Sequence, residues 1–150
     1  VNLLIKGELV CSKSYNIGTV RMLNDAVDFE EWKRLEADMK TLSENYLGTN
    51  IIGSGGNINK LYRLAEKTDK KRQRISVIVL KSLYEKLKLL SFEERMQVFN
   101  LKPDRADVIV PASEIFLTIA EILHSEYIYV PVIGLADGII DGLYAANRNR

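Results

Sequence analysis

The stretch of this chain best suited to chemistry is Gly53-Ser54-Gly55-Gly56-Asn57. Three glycines in four positions follow the apolar pair Ile51-Ile52 and precede Ile58, Leu61, Leu64 and Ala65, which recur at helical spacing. The order implied is strand, glycine turn, helix, and that geometry suits a phosphate. Glycine lets backbone approach a ligand closely and takes positive φ at little steric cost. A helix start near Asn57 offers unpaired N–H groups at the positive end of a helix dipole. Ser54, Asn57 and Asn59 add side-chain donors. The same residues also fit a packing turn that feeds a helix with Asn57 as its N-cap. Two named phosphate motifs are excluded. A Walker loop needs Lys followed by Ser or Thr after its last glycine, and Asn57 stands there; a dinucleotide fingerprint needs glycine where Ile58 stands.

The elements that must position this loop are legible around it. Val1 to Lys6 and Leu9 to Tyr15 flank Gly7 and read as a hairpin. Gly18 to Leu23 reads as a connection. Asp28 opens a helix with Glu31 three residues on, the form of a capping box. Phe29, Trp32, Leu35, Met39, Leu42 and Tyr46 then make an apolar stripe for the core, and Gly48 ends the helix. Residues 66–74 are almost wholly polar. Ser76 caps a helix carrying Leu80, Leu83, Tyr84, Leu87 and Leu90, and Ser91-Phe92-Glu93-Glu94 is a capping box for a short helix to Phe99. After Pro103 a long helix is expected over 104–124, with Val108, Ile109, Ala112, Ile115, Phe116, Ile119, Ile122 and Leu123 inward and a kink or restart at Pro111. Tyr127 to Ile133 reads as a last strand. Gly134-Leu135-Ala136-Asp137-Gly138 turns into a closing helix through Ala146. A hairpin followed by strand–helix alternation implies an α/β fold, with a mixed sheet flanked by helices.

Composition narrows the function classes. At 150 residues the chain fits one domain, 1–150, with a real core. A net charge of +1 argues against a broad nucleic-acid face. The lone Cys11 rules out an internal disulfide framework and a cysteine zinc cluster, and reads as a small core residue. No apolar stretch is long enough for a membrane span and no signal peptide is visible, so the expected location is the cytoplasm. A start at Val1, without an initiator methionine, suggests a processed protein or a piece of a longer one.

Four segments in order carry a family resemblance. Gly53-Ser54-Gly55-Gly56-Asn57 resembles the Gly-Thr-Gly-Gly-Thr loop of the exopolyphosphatase and guanosine pentaphosphate phosphohydrolase (Ppx/GppA) family. Ser91-Phe92-Glu93-Glu94-Arg95, Arg105-Ala106-Asp107-Val108-Ile109 and Gly134-Leu135-Ala136-Asp137-Gly138-Ile139-Ile140 follow in the family's order. The resemblance implies a ribonuclease-H-like domain of the actin-like ATPase fold, the second of two around a cleft. That domain's first strand and its own glycine loop would precede Val1, and the family's catalytic carboxylate would lie on a missing N-terminal domain, leaving no catalytic residue in this chain. Without its first strand the domain would carry an empty slot between Val1–Lys6 and Ile51–Ile52. Two positions depart from the pattern: Ala136 replaces a usual arginine, and Pro111 stands where glycine is common.

The activity implied is release of a terminal phosphate from inorganic polyphosphate or guanosine pentaphosphate, with Mg²⁺ bridging phosphate oxygens. Gly53, Ser54, Gly55, Gly56 and Asn57 would bind that phosphate. Arg105, at a helix start near the cleft, would contact substrate or else pair with Asp104, Asp107 or Glu94 on the surface. Lys70, Lys71, Arg72 and Arg74 suit either a track for polyphosphate or a solvated loop. Asp137 and Asp141 suit either water-mediated metal contact or helix capping, and His124 gains no catalytic role. Other readings are half of another actin-fold phosphotransferase, or a non-catalytic phosphate- or nucleotide-binding domain. A homodimer is common among members of the family.

Overall fold

Alternating and helical apolar patterns meet in a chain of five strands and eight helices among the described residues; the computed structural model describes residues 1–131, 133 and 135–148. The chain opens with β1 (Asn2–Ile5) and β2 (Glu8–Ser12), paired antiparallel. Their two-residue turn puts Lys6 at φ 53° and Gly7 at φ 86°. Positive φ at both positions matches the twist of the flanking strands, which is why a glycine sits there. Next come α1 (Thr19–Leu23) and α2 (Phe29–Asn45). The connection expected over Gly18 to Leu23 is thus largely a short helix.

Asp28 caps α2 as expected, but its carboxylate accepts from the Glu30 amide, 2.9 Å. Glu31 does not close a capping box. Its carboxylate accepts instead from the Asn16 amide and from Arg34, both 2.8 Å, tying the preceding loop to the helix. The α2 stripe is core only in part. Leu35 and Met39 are 2% exposed, whereas Phe29 at the helix start is 68% exposed.

The remainder is built around a three-stranded mixed sheet in the order β3-β5-β4. It comprises β3 (Ile51–Ile52), β4 (Arg74–Ser76) and β5 (Tyr127–Tyr129); β3 runs parallel to β5 and β4 antiparallel to it. Strand β4 lies where the sequence reads as polar loop followed by helix. It is short, but Ile75 in its middle is fully buried. The chain between carries α3 (Gly56–Leu64), α4 (Val77–Leu89), α5 (Phe92–Phe99), α6 (Pro103–Ala106) and α7 (Ile109–Ile122), and α8 (Leu135–Asn147) closes it. Both expected serine caps are made. Ser76 Oγ accepts from Val79 N, and Ser91 with Glu94 forms the reciprocal box.

The expected long helix restarts rather than kinks. It breaks at Asp107 and Val108, so Pro111 falls in the first turn of α7. An N–H has no intrahelical acceptor there, so the missing donor costs little. Nearly apolar all round, α7 is contacted by α1, α2, α3 and α4. Its one buried polar side chain, Ser113, donates to the Ile109 carbonyl at 2.8 Å. Cys11 is half-buried on β2 rather than in the core. Of the last expected segments, Val132 and Gly134 lie outside the described residues. Among the described residues no helix is long and apolar enough to cross a membrane.

The hairpin and the three-stranded sheet do not pair. Between β1 and β3 lies a cavity of about 270 Å³, bordered by Val1 to Leu3 on one side and Ile51 to Ser54 on the other. Met39 and Leu42 of α2 and Phe116 and Ile119 of α7 also line it.

Candidate functional site

The glycine loop leaves the end of β3 and starts α3, and each glycine has a different reason to be there. Gly53 is a packing glycine. Its N–H donates to the Tyr129 carbonyl at 2.8 Å, and a Cβ there would lie 2.9 Å from Ile58 Cγ1. Gly55 is a conformational glycine. Its φ is +106° and a Cβ would meet nothing within 4 Å, so backbone shape alone demands it. Gly56 is a contact glycine, since a Cβ would sit 2.9 Å from Arg105 Nη2.

Gly55, not Asn57, is the N-cap of α3, and no side chain caps the helix. The early N–H groups of α3 therefore have neither an intrahelical acceptor nor a side-chain substitute. Asn57, one residue into the helix, accepts from Arg105 Nη1 at 2.8 Å through Oδ1. Ser54 is exposed beside them.

The structure thus brings together the two features that the sequence nominated separately. Arg105 comes from α6, far away in sequence, and lies across the glycine loop. Of its expected surface partners only Asp104 is met, at 3.8 Å, and Glu94 is used in the α5 cap. The guanidinium is half-buried and faces the start of α3. Backbone N–H groups, a helix's positive end and a planar guanidinium converge there, an arrangement that binds tetrahedral oxyanions.

What holds α6 in place was not legible as a functional signal. Arg95 Nε donates to the Leu87 carbonyl at 2.8 Å and Nη1 to the Ala106 carbonyl at 3.2 Å. It thereby ties the end of α4 to α6, next to Arg105. Its place in Ser91-Phe92-Glu93-Glu94-Arg95 was the only hint.

The other candidates lie elsewhere. Asp137 is in the first turn of α8 and Asp141 one turn on, on an exposed helix. An acidic residue in a first turn suits the helix dipole, although both carboxylates lie inside α8 rather than at its cap position. His124 is exposed with φ 50°, just past α7. Lys70, Lys71 and Arg72 are exposed, while Arg74 is held by Asp69 at 3.0 Å and packs on the Tyr127 ring at 3.8 Å. Among the described residues no three His, Cys, Asp or Glu side chains group to hold a metal. The loop itself presents N–H and guanidinium donors, which repel a cation. Among the described residues, those at the loop therefore do not fit a Mg²⁺ site.

Known proteins show the same fold. An exopolyphosphatase from Cytophaga hutchinsonii superposes with a TM-score of 0.73 at 17% identity, over 94% of this chain and 52% of its own. A Ppx/GppA family member from Aquifex aeolicus gives 0.67 at 24% identity, over 94% and 51%. The type II variant of an Aquifex aeolicus Ppx/GppA phosphatase gives 0.66 at 24%, over 89% and 49%. This chain therefore spans about half the length of those proteins, and its α/β architecture is their actin-like ATPase fold. No curated protein matches it. The model of the Ppx/GppA phosphatase family matches residues 3–146, and the chain belongs to that family.

Proposed function

We propose that this chain is one ribonuclease-H-like domain, the second, of a phosphoanhydride hydrolase, and that its glycine loop and Arg105 hold the phosphate removed from inorganic polyphosphate or guanosine pentaphosphate. The observation that carries this reading is the Arg105 guanidinium lying over Gly56 and bonded to Asn57 at the uncapped start of α3. In phosphoryl transfer, charge builds on the equatorial oxygens of the transferred group, and catalysis is mainly positioning and charge stabilisation. The N–H groups at the start of α3 and the Arg105 fork suit those oxygens. Water must attack in line, opposite the phosphoanhydride oxygen whose bond to phosphorus breaks, and its proton needs a base. The donors gathered at this loop include none, so the base belongs to another domain, as does any ligand set for Mg²⁺.

The cavity between β1 and β3 supports the same domain assignment. It is bordered on both sides by strand residues and lies between two helices, the space that one further strand of the same sheet would fill.

The test is kinetic and uses the intact protein that contains this chain. Arg105→Ala is expected to lower kcat/KM for terminal-phosphate release by about 100-fold, in the range of a lost transition-state donor. Assaying polyphosphate and guanosine pentaphosphate separately identifies the substrate. Unchanged kinetics on both would return Arg105 to the surface. Phosphate binding without any turnover of either would make this a non-catalytic phosphate-binding domain.

A further inference from the structure

Helix α8 is sided, and its apolar side is exposed. Ala136, Ile139, Ile140, Leu143 and Tyr144 recur at alternating steps of three and one, which draws a single stripe along the helix. Asp137 and Asp141 lie off that stripe, and Ala145 lies opposite it. In α7 a comparable apolar surface is covered by other helices. In α8 every described residue from Ala136 on is exposed, and Ile139, Ile140, Leu143 and Tyr144 are 53%, 63%, 59% and 68% exposed. Ile133, just before the helix, is 56% exposed as well. A helix of 13 residues is marginal in water on its own hydrogen bonds and depends on packing of its apolar face. An apolar patch of this kind marks an interaction surface.

The place of α8 in the fold says what covers it. Strands β3 and β5 are parallel, and the Gly53 N–H donates to the Tyr129 carbonyl at 2.8 Å. The chain therefore leaves β5 beside the glycine loop. Leu135 follows Tyr129 by six residues, a reach of at most about 20 Å, so α8 begins at the same edge of the sheet as the loop. The domain that carries the base has to stand over that edge, because the attacking water lies beyond the phosphate held there. We propose that the stripe of α8 docks on that domain and fixes it over the glycine loop. This inference rests on the reading that the base lies on another domain of the same protein, and it names the surface that joins the two. The Cytophaga and Aquifex relatives are about twice the length of this chain, which leaves room for such a domain. A second copy of the chain is the weaker occupant. One short helix presents a few hundred Å² at most, against about 800 Å² per partner in a stable complex of separate molecules. A domain tethered in the same protein needs far less, because its effective concentration is high.

The experiment follows amide hydrogen exchange and phosphate release in the intact protein, as wild type and as the double variant Ile140→Asp, Leu143→Asp. Both side chains are exposed on this domain, and continued protection at Leu80 and Leu87 in the core checks that the variant is folded. The wild-type α8 amides should exchange slowly, and at least about tenfold faster in the double variant. Its kcat should fall by at least about tenfold, since the base loses its position, while triphosphate affinity at the glycine loop stays unchanged. Ala145→Asp, on the opposite side of α8, and the apolar swap Ile140→Leu with Leu143→Met should leave both readings unchanged. Wild-type α8 amides that exchange as freely as an unstructured peptide would overturn the proposal. So would protection that grows with protein concentration, which means a second copy. Normal turnover in the double variant would also overturn it and leave the hydrolase reading intact. If α8 is protected and the variant frees it, yet the wild type releases phosphate from neither substrate, the docking stands and the hydrolase reading fails.

Discussion

Residues 51–130 and the N-terminal hairpin are built to different standards. In the first region Ile58, Leu61, Ile75, Leu80, Leu87, Ile109, Ile128 and Val130 are wholly buried, with helices packed around a closed core. In the second, Leu4, Leu9 and Val10 are 57%, 62% and 52% exposed, and polar contacts tie the end of the hairpin to α2. Lys13 Nζ reaches Asp38 at 2.6 Å, Tyr15 Oη donates to Asp38 at 2.7 Å, and Arg34 donates to the Ser14 carbonyl at 2.8 Å. The proposed phosphate cradle, Gly53 to Asn57 with Arg105, sits entirely on the region with the finished core. A site that must hold donors to within fractions of an ångström belongs on packed elements, and the hairpin lacks the packing to supply that.

The largest expected difference is in stability. Leu87→Ala should cost about 2–5 kcal/mol, whereas Leu9→Ala on β2 should cost under about 1 kcal/mol. Urea midpoints of the two variants check this, and equal losses would erase the contrast.

Two glycines three residues apart sharpen it within the site. Gly53→Ala pushes a methyl into Ile58 and Ile128, so it should cost about 1–3 kcal/mol. Gly56→Ala meets only the end of the Arg105 side chain. It should leave stability nearly unchanged and weaken triphosphate binding about tenfold, by displacing that guanidinium. Calorimetry on both variants separates the two roles.

The smallest effect is in pH. Hydrogen bonds from Lys13 and Tyr15 hold the Asp38 carboxyl below its ordinary value of 3.8. A carboxyl lowered by folding stabilises the fold above its ordinary value and loses that contribution as the pH falls through the lowered one. The hairpin should therefore loosen below about pH 4, and within 51–130 only the exposed segment held by the likewise lowered Glu66 and Asp69 carboxyls should loosen with it, the buried core holding. Amide hydrogen exchange against pH would show it, and Asp38→Asn should flatten the response. Burial and the same Asp38 contact push the Tyr15 hydroxyl well above its ordinary 10.0. Its contribution persists at neutral pH and is lost only in strong alkali.

Much of this was readable from the residues. The serine caps at Ser76 and Ser91, the glycine turn after Ile52 and the helix restart near Pro111 are local, and local chemistry decides them. Three features were not readable, each for a tertiary reason. Strand β4 is three residues long and exists because β5, more than fifty residues later, pairs with it. Glu31 leaves its expected cap because Arg34 and the Asn16 amide offer a stronger set of donors. Asn57 gives up the N-cap because Arg105 claims its carbonyl oxygen, and Gly55 can take φ +106° in its place. The site followed the same rule. Its loop and its arginine were each visible, but their meeting depends on Arg95 fixing α6, which no spacing reveals.

The most direct test of the central claim is an amide NMR titration of this chain with triphosphate, alone and as Arg105→Ala. Shifts concentrated at Gly55, Gly56, Asn57 and Ile58, and lost in the variant, are the predicted result. Shifts scattered elsewhere, or unchanged by removing Arg105, would contradict the claim that this loop and this arginine form one phosphate site.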